Sequence, residues 1–311
     1  MKIKNKNVLV TGANGMVAYQ LIKLLKKKNC NLTLTDLHDK SKFFNDERYL
    51  DGDLRSRRFA DFICKKQDIV FSLVGLKASP EECLKKPASH SITMNQFNSN
   101  IIESVFNNNV EWFLYTSSIG VYSPAEYFIE DDIWKTSPSN NDWYGGWAKR
   151  MGELNVEASM IEYDRNNCSI VRPSNIYGKW DIFSDKSTVI ASLIKKGYYD
   201  DVLEVWGDGT PIRDFIYSKD VARGMLHMVE NEVTEPVNLG SGKEVTIKEI
   251  SEIIADYFSK EIIWNITKPM GDIKRLMSVE RAEGYGFKPQ VSLENGIVRT
   301  IKWYEENINE L

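Results

Sequence analysis

The run Val8-Leu9-Val10-Thr11-Gly12-Ala13-Asn14-Gly15-Met16-Val17-Ala18 passes from a hydrophobic, β-branched stretch straight into helical spacing, with two glycines at the joint. No other feature restricts the chain so strongly, because a strand that turns this tightly into a helix creates an anion site. Gly12 and Gly15 permit the turn, and with Asn14 and Met16 they let backbone N–H groups close on a pyrophosphate where the helix dipole favours negative charge. Ala18, where dinucleotide folds often place a third glycine, is small enough for helix and strand to pack closely. Asp36 stands 24 residues after Gly12, at the end of the next hydrophobic run. There a carboxylate accepts hydrogen bonds from adenosine ribose hydroxyls and repels a 2′-phosphate, so the pattern predicts NAD in preference to NADP. Asp53 and Leu54, in Asp51-Gly52-Asp53-Leu54-Arg55, are candidates for the adenine edge, although an ordinary turn explains Asp53 equally well.

Short hydrophobic runs alternate with helix-length stretches through the first half. Val8–Val10, Leu32–Thr35, Ile69–Leu73, Trp112–Thr116 and Ser169–Val171 read as strands; Met16–Lys28, Ala88–Asn107 and Trp147–Arg165 read as helices. That alternation predicts an α/β fold, a Rossmann-type doubly wound parallel sheet with helices on both faces. The last third changes to single strands (Leu203–Trp206, Val237–Leu239, Ile262–Trp264) and amphipathic helices (Thr246–Phe258, Leu293–Glu306), which predicts a smaller C-terminal α/β lobe. The division expected is 1–172 for the dinucleotide domain and 173–311 for the lobe, with interleaved boundaries.

With 311 residues, 42% of them hydrophobic, the chain can bury a sizeable core. A net charge of −4 and the lack of any basic cluster interleaved with aromatics argue against a nucleic-acid partner. Val8–Val10 is too short for a signal-peptide core and nothing is long enough to span a bilayer, so no membrane association is expected. Cys30, Cys64, Cys83 and Cys168 lie far apart, as do His38, His90 and His227. That spacing suits reduced thiols in a cytoplasmic protein and gives no metal site.

Later segments add a resemblance over almost the whole length. Tyr115-Thr116-Ser117-Ser118-Ile119-Gly120-Val121-Tyr122, Trp143-Tyr144-Gly145-Gly146-Trp147-Ala148-Lys149 and Val171-Arg172-Pro173-Ser174-Asn175-Ile176-Tyr177-Gly178 resemble motifs of the extended short-chain dehydrogenases, the nucleotide-sugar epimerase/dehydratase family. The resemblance implies that Ser118 and Lys149 are catalytic. It also implies that Leu73, Gly75, Asn95, Thr116, Lys149 and Pro173 face the cofactor, and that Ser118 and Asn175 meet the sugar nucleotide. The second half is most similar to the GDP-L-fucose synthase branch, through Asn175–Phe183 and Val205–Phe215. There Arg213 matches a phosphate-binding arginine, and Lys196 and Arg275 match further basic positions. A guanidinium suits the bidentate grip of a diphosphate, whereas Lys196 on sequence alone reads more readily as a surface cation. Helices over Ala88–Asn107 and Trp147–Arg165 often pair across a dimer axis in the family. Ile101, Ile102, Val105, Met151 and Leu154 are compatible with such a homodimer or higher homo-oligomer, and covering the sheet explains the same residues as well.

The catalytic tyrosine is out of step. The family's Tyr-x-x-x-Lys spacing puts both side chains about 40° apart on one helix face, but Tyr144 precedes Lys149 by five, about 140° away. Lys149 and Glu153 keep the family register, which leaves Gly145 at the tyrosine position. In one reading Tyr144 lies at or before the first helical residue and turns inward through the flexible glycines. In the other it packs elsewhere and another group accepts the proton.

Missing residues narrow the chemistry. The family's 4,6-dehydratases carry an Asp-Glu pair where this chain has Ile119 and Gly120. The Cys and His with which GDP-L-fucose synthases invert two carbons match Gly120 and Thr188, and their NADPH-favouring arginine matches Asn14. What remains is hydride transfer at one carbon, C4, of a nucleotide-linked sugar, with a GDP-sugar favoured. A 4-dehydrogenase or 4-epimerase for surface-polysaccharide sugars is the leading expectation and a 4-keto-sugar reductase the alternative. A non-catalytic NAD-sensing protein would need no Asn175, Arg213 and Arg275 together.

Overall fold

The computed structural model describes residues 1–39, 43–45, 47–76, 83, 85–184, 187–268 and 271–308. Its strands in chain order are β1 Asn7–Thr11, β2 Asn31–Asp36, β3 Arg48–Asp51, β4 Ile69–Ser72, β5 Trp112–Thr116, β6 Cys168–Pro173 and β7 Asn175–Tyr177, then β8 Val202–Trp206, β9 Ile212–Arg213, β10 Phe215–Tyr217, β11 Val237–Leu239, β12 Val245–Thr246, β13 Glu261–Asn265 and β14 Lys274–Arg275. The helices are α1 Met16–Lys26, α2 Arg57–Cys64, α3 Pro87–Asn107, α4 Trp143–Glu162, α5 Val189–Tyr199, α6 Ser218–Glu230, α7 Ile247–Phe258, α8 Glu280–Gly284 and α9 Leu293–Asn307.

Seven strands form one parallel sheet in the order β11-β6-β5-β4-β1-β2-β3. A parallel sheet is covered on both faces, which is why its strands read as continuous apolar runs. α1 and α6 pack on one face over Val8, Val10, Leu34 and Phe71; α2, α3 and α4 cover the other over Leu9, Val70 and Phe113. α1 buries Ala18, Leu21, Ile22 and Leu25, each large aliphatic side chain contributing about 1.5–3 kcal/mol. The Rossmann-type sheet expected from the sequence is present.

Smaller sheets, β7–β10, β12–β9–β14 and β8–β13, are built with α5, α7 and α9 around Tyr177, Ile194, Leu203, Ile254 and Ile301. Val237–Leu239 does not belong with them. It pairs with β6 as the edge of the main sheet, and α6 before it packs on α1. A three-residue strand carries no periodicity that says which sheet will take it. Ile101, Ile102 and Val105 are core residues of α3, whereas Met151 and Leu154 are each 42% exposed on the outer side of α4. Among the described residues no helix is long and apolar enough to cross a membrane.

One buried ion pair locks the layers. Arg172 on β6 meets Glu153 on α4 through Nε to Oε1 at 2.9 Å and Nη2 to Oε2 at 2.6 Å, with side-chain exposures of 1% and 2%. Arg172 Nη1 also donates to the Tyr122 hydroxyl at 2.9 Å and the Glu130 carbonyl at 2.8 Å, and Ser117 donates to Glu153. Removing one partner strands a charge in low dielectric. Glu153→Gln is expected to cost about 3–5 kcal/mol in urea unfolding; a loss below about 1 kcal/mol would show that the network is not what holds α4 to the sheet.

Candidate active site

The cofactor cradle follows from backbone geometry. Gly12 has φ +67°, and a Cβ there would lie 3.1 Å from the Leu73 carbonyl and the Val74 nitrogen. Only glycine allows this approach of the turn to the end of β4. Gly15 caps α1, its N–H donating to the Gly12 carbonyl at 3.0 Å, with neither a side-chain cap nor an acidic residue in the first turn. The first-turn N–H groups are therefore aimed at whatever anion binds. Asp36 reaches the same turn, its Oδ2 accepting from the Asn14 N–H at 3.1 Å and its Oδ1 from the Leu37 N–H at 2.8 Å.

Asp53 is taken up locally. Its carboxylate accepts from the Arg55 side chain and backbone, and Arg55 holds it below the usual carboxylate range. Leu54 is buried beside it and its carbonyl accepts from Asn100 at 2.9 Å. Gly75, just past β4, has open space where a Cβ would project, and Pro173 ends β6. Two buried oxygens near the sheet's carboxyl edge, Asn95 Oδ1 on α3 and Thr116 Oγ1 on β5, have no hydrogen-bond partner. Buried polar atoms are rarely left unpaired. A dinucleotide lying across this edge supplies hydroxyl and amide groups of the kind these atoms lack.

Lys149 and Ser118 face that edge from α4 and from the turn after β5. Lys149 Nζ donates to the Thr116 carbonyl at 2.7 Å and lies 5.3 Å from the Tyr115 ring centroid. Burial pushes its pKa down to about 8, against an opposing pull from Glu153. Ser118 Oγ accepts from the Gly120 N–H at 3.0 Å, so its own proton is available to donate. The helix does not begin where the spacing of the apolar residues suggested. α4 starts at Trp143, one residue before Tyr144, so Tyr144 already obeys helical periodicity and its 38%-exposed ring points about 140° away from Lys149. The reading that placed Tyr144 at or before the first helical residue is corrected by that start, which follows from the 3₁₀ turn Asn140–Asp142 feeding straight into the helix.

In the smaller sheets, β9 and β14 bring Arg213 and Arg275 side by side in register. Burial first, and the like charge of Arg275 second, push Arg213 down to about 10, and it remains a cation at neutral pH. Arg275 is braced by Asp142 at 2.7 Å and Asp272 at 3.9 Å; Ser139 and Asn141 bind Asp272 at 3.1 and 2.7 Å. Two desolvated guanidiniums together suit a doubly charged diphosphate. Asn175 is close by through its amide, which donates to the Asp214 carbonyl at 2.7 Å. Lys196, on α5, donates to the Glu204 carbonyl at 2.8 Å and carboxylate at 3.3 Å and lies 5.8 Å from the Trp206 ring centroid. Asp142 and Asp272 carry no role in the sequence reading, and Glu153 enters it only through its register with Lys149. Asp272 sits three residues before Arg275 and could have been suspected; Asp142 could not, being brought to Arg275 only by the fold.

Comparison with known proteins bears on family and fold. Residues 8–240 match the family model described as the NAD dependent epimerase/dehydratase family. The GDP-L-fucose synthase of Sinorhizobium fredii is 28% identical over 319 residues, covering 98% of each chain. A putative UDP-glucose 4-epimerase of Methanocaldococcus jannaschii is 27% identical over 312 residues, covering 96% of this chain and 99% of that protein. Among solved structures, an epimerase of Methanothermobacter thermautotrophicus superposes with a TM-score of 0.90 at 25% identity, covering 99% of this chain and 94% of that one.

Two outcomes test the cradle. Gly12→Ala is expected to weaken NAD binding at least about tenfold by calorimetry, since a methyl group in a left-handed turn meets the β4 backbone; unchanged affinity would remove Gly12 from the site. The Lys149 charge is present below about pH 8 and lost above it. Any step that uses this cation falls off as pH rises from neutrality through that value, and Lys149→Arg, which stays charged, must lack that alkaline limb whatever activity it retains.

Proposed function

The chain belongs to the NAD dependent epimerase/dehydratase family, and from that premise we propose that it oxidises C4 of a nucleotide-linked sugar with NAD. The net reaction is that of a 4-dehydrogenase or 4-epimerase supplying sugars for surface polysaccharides. The observation that carries this reading is the Arg213–Arg275 pair in register on β9 and β14, with Arg275 tied to Asp142 just ahead of the helix that carries Lys149. A protein that only sensed a dinucleotide would gain nothing from a second, desolvated diphosphate grip.

NAD supplies a hydride acceptor when bound; the protein does the rest. Gly12, Gly15 and the α1 N-terminus hold its pyrophosphate, and Asp36 accepts from the adenosine ribose and excludes a 2′-phosphate. Lys149 has one N–H committed to Thr116, which leaves two for the nicotinamide ribose hydroxyls. Ser118 donates to the sugar C4 oxygen and holds it while its proton departs. Arg213 and Arg275 anchor the diphosphate, with Arg275 exchanging the Asp142 carboxylate for phosphate oxygens. A GDP-sugar is favoured by similarity to the Sinorhizobium fredii protein. The same similarity supports reduction of a 4-keto sugar as the second reading, against which the Asp36 carboxylate weighs by disfavouring NADPH.

Mass spectrometry of the cofactor released from purified protein, and incubation with GDP- and UDP-hexoses in deuterated water, test the proposal. Bound NAD(H) and a product carrying no solvent deuterium are expected. Deuterium at C3, C5 or C6 would require a further proton-transfer step and contradict it, and binding of NAD with no response to any nucleotide sugar would favour a sensor.

A further inference from the structure

Gly145 is the residue in helical phase with Lys149, one turn earlier, and it has no side chain to offer the reaction. Beyond its own helix and chain neighbours, a Cβ placed there meets one group within 4 Å, the imidazole of His90, with Nε2 at 3.4 Å and Cδ2 at 3.8 Å. His90 lies in the first turn of α3 and heads the stripe His90, Met94, Phe97, Ile101, of which the last three are 3%, 4% and 0% exposed. Residues at i, i+4, i+7 and i+11 share a helix face, so the half-buried ring is directed between α3 and α4. The space beside the position that the family's tyrosine would occupy is thus edged by the distal nitrogen of a histidine.

We propose that His90 is the proton-transfer group of this site, a role that rests on the hydride-transfer reading above. As the sugar C4–H bond breaks and its electron pair leaves as hydride, the C4 hydroxyl O–H bond breaks too. That pair closes the carbonyl, and the proton passes to unprotonated His90 Nε2 to give an imidazolium. When hydride returns to C4, the imidazolium gives the proton back to the same oxygen. Imidazole has an ordinary pKa of about 6.5 against about 10 for a phenol. An imidazole, unlike a phenol, therefore needs no cation to acidify it before it can act as a base near neutral pH. Lys149 is then needed for the ribose alone, and Tyr144 is free to sit out of phase.

The test is single-turnover reduction of bound NAD by GDP- and UDP-hexoses, followed by nicotinamide absorbance, with NAD affinity and thermal midpoint measured on every variant. His90→Ala and the volume-conserving His90→Gln are both expected to lose about 10²- to 10⁴-fold in rate while binding NAD as the wild type does. Added imidazole is expected to recover part of the loss in His90→Ala. Gly145→Tyr made in the His90→Ala background, where the ring no longer stands in the way, is expected to restore the rate at least about tenfold by returning a phenol to the phase of Lys149. Wild-type rates in both His90 variants would overturn the assignment, as would a comparable loss in Tyr144→Phe with none in His90→Gln. A wild-type protein that reduces no NAD with any hexose nucleotide overturns the functional reading itself, and this assignment with it.

Discussion

The Arg172–Glu153 pair is the interaction on which the site's geometry depends. A guanidinium and a carboxylate at 1% and 2% exposure persist only with their remaining hydrogen-bonding groups satisfied, and the groups that satisfy them are structural. Glu153 ties α4 to Ser117; Arg172 ties β6 to Tyr122 and to the Glu130 carbonyl. Tyr122 continues the chain of bonds to Asn238 on β11. Ser118 and Lys149 arrive from different elements, one beside Ser117 and the other one helical turn before Glu153, so this network fixes the distance between them. Arg150, 1% exposed, extends the clamp outward by donating to the Val121 and Thr136 carbonyls.

On this frame the proposed mechanism separates gripping from proton transfer. The grips this reading proposes are a glycine turn closed against β4, the Asp36 carboxylate at the end of β2, a buried lysine on the Thr116 carbonyl, and the paired arginines of β9 and β14. The proton-transfer positions are pared back to Gly120 and Gly145, and each glycine has a titratable side chain from elsewhere as its neighbour. A Cβ at Gly120 would lie 3.3 Å from the Asp142 carboxyl group, and one at Gly145 would lie 3.4 Å from His90. Asp142 is engaged with Arg275, which suits it to holding the phosphate grip; His90 is directed at the helix face that carries Lys149.

Local features were legible in the sequence. The glycine turn, Asp36 and the strand–helix alternation of the sheet need only neighbouring residues, and Thr246 with Glu249 forms a capping box at the start of α7. Long-range choices were not legible. Val237–Leu239 joins the main sheet because β6 leaves it an open edge, a fact that three residues cannot encode. The helix read from Trp147 starts at Trp143, because the preceding 3₁₀ turn carries helical geometry through Gly145 and Gly146. Asp142 and Arg275, 133 residues apart in sequence, and His90 and Gly145, 55 apart, meet only in the folded chain.

The central claim is that C4 of a nucleotide-linked sugar gives its hydride to NAD in this cleft. Incubating the protein and NAD with GDP- and UDP-hexoses deuterated at C4, then weighing the released nicotinamide and the sugar, tests it directly. The account predicts deuterium on the reduced nicotinamide, or on C4 of an inverted product when the hydride returns. Product formed with the label lost to solvent, or formed with unlabelled nicotinamide and C4 never oxidised, would contradict it.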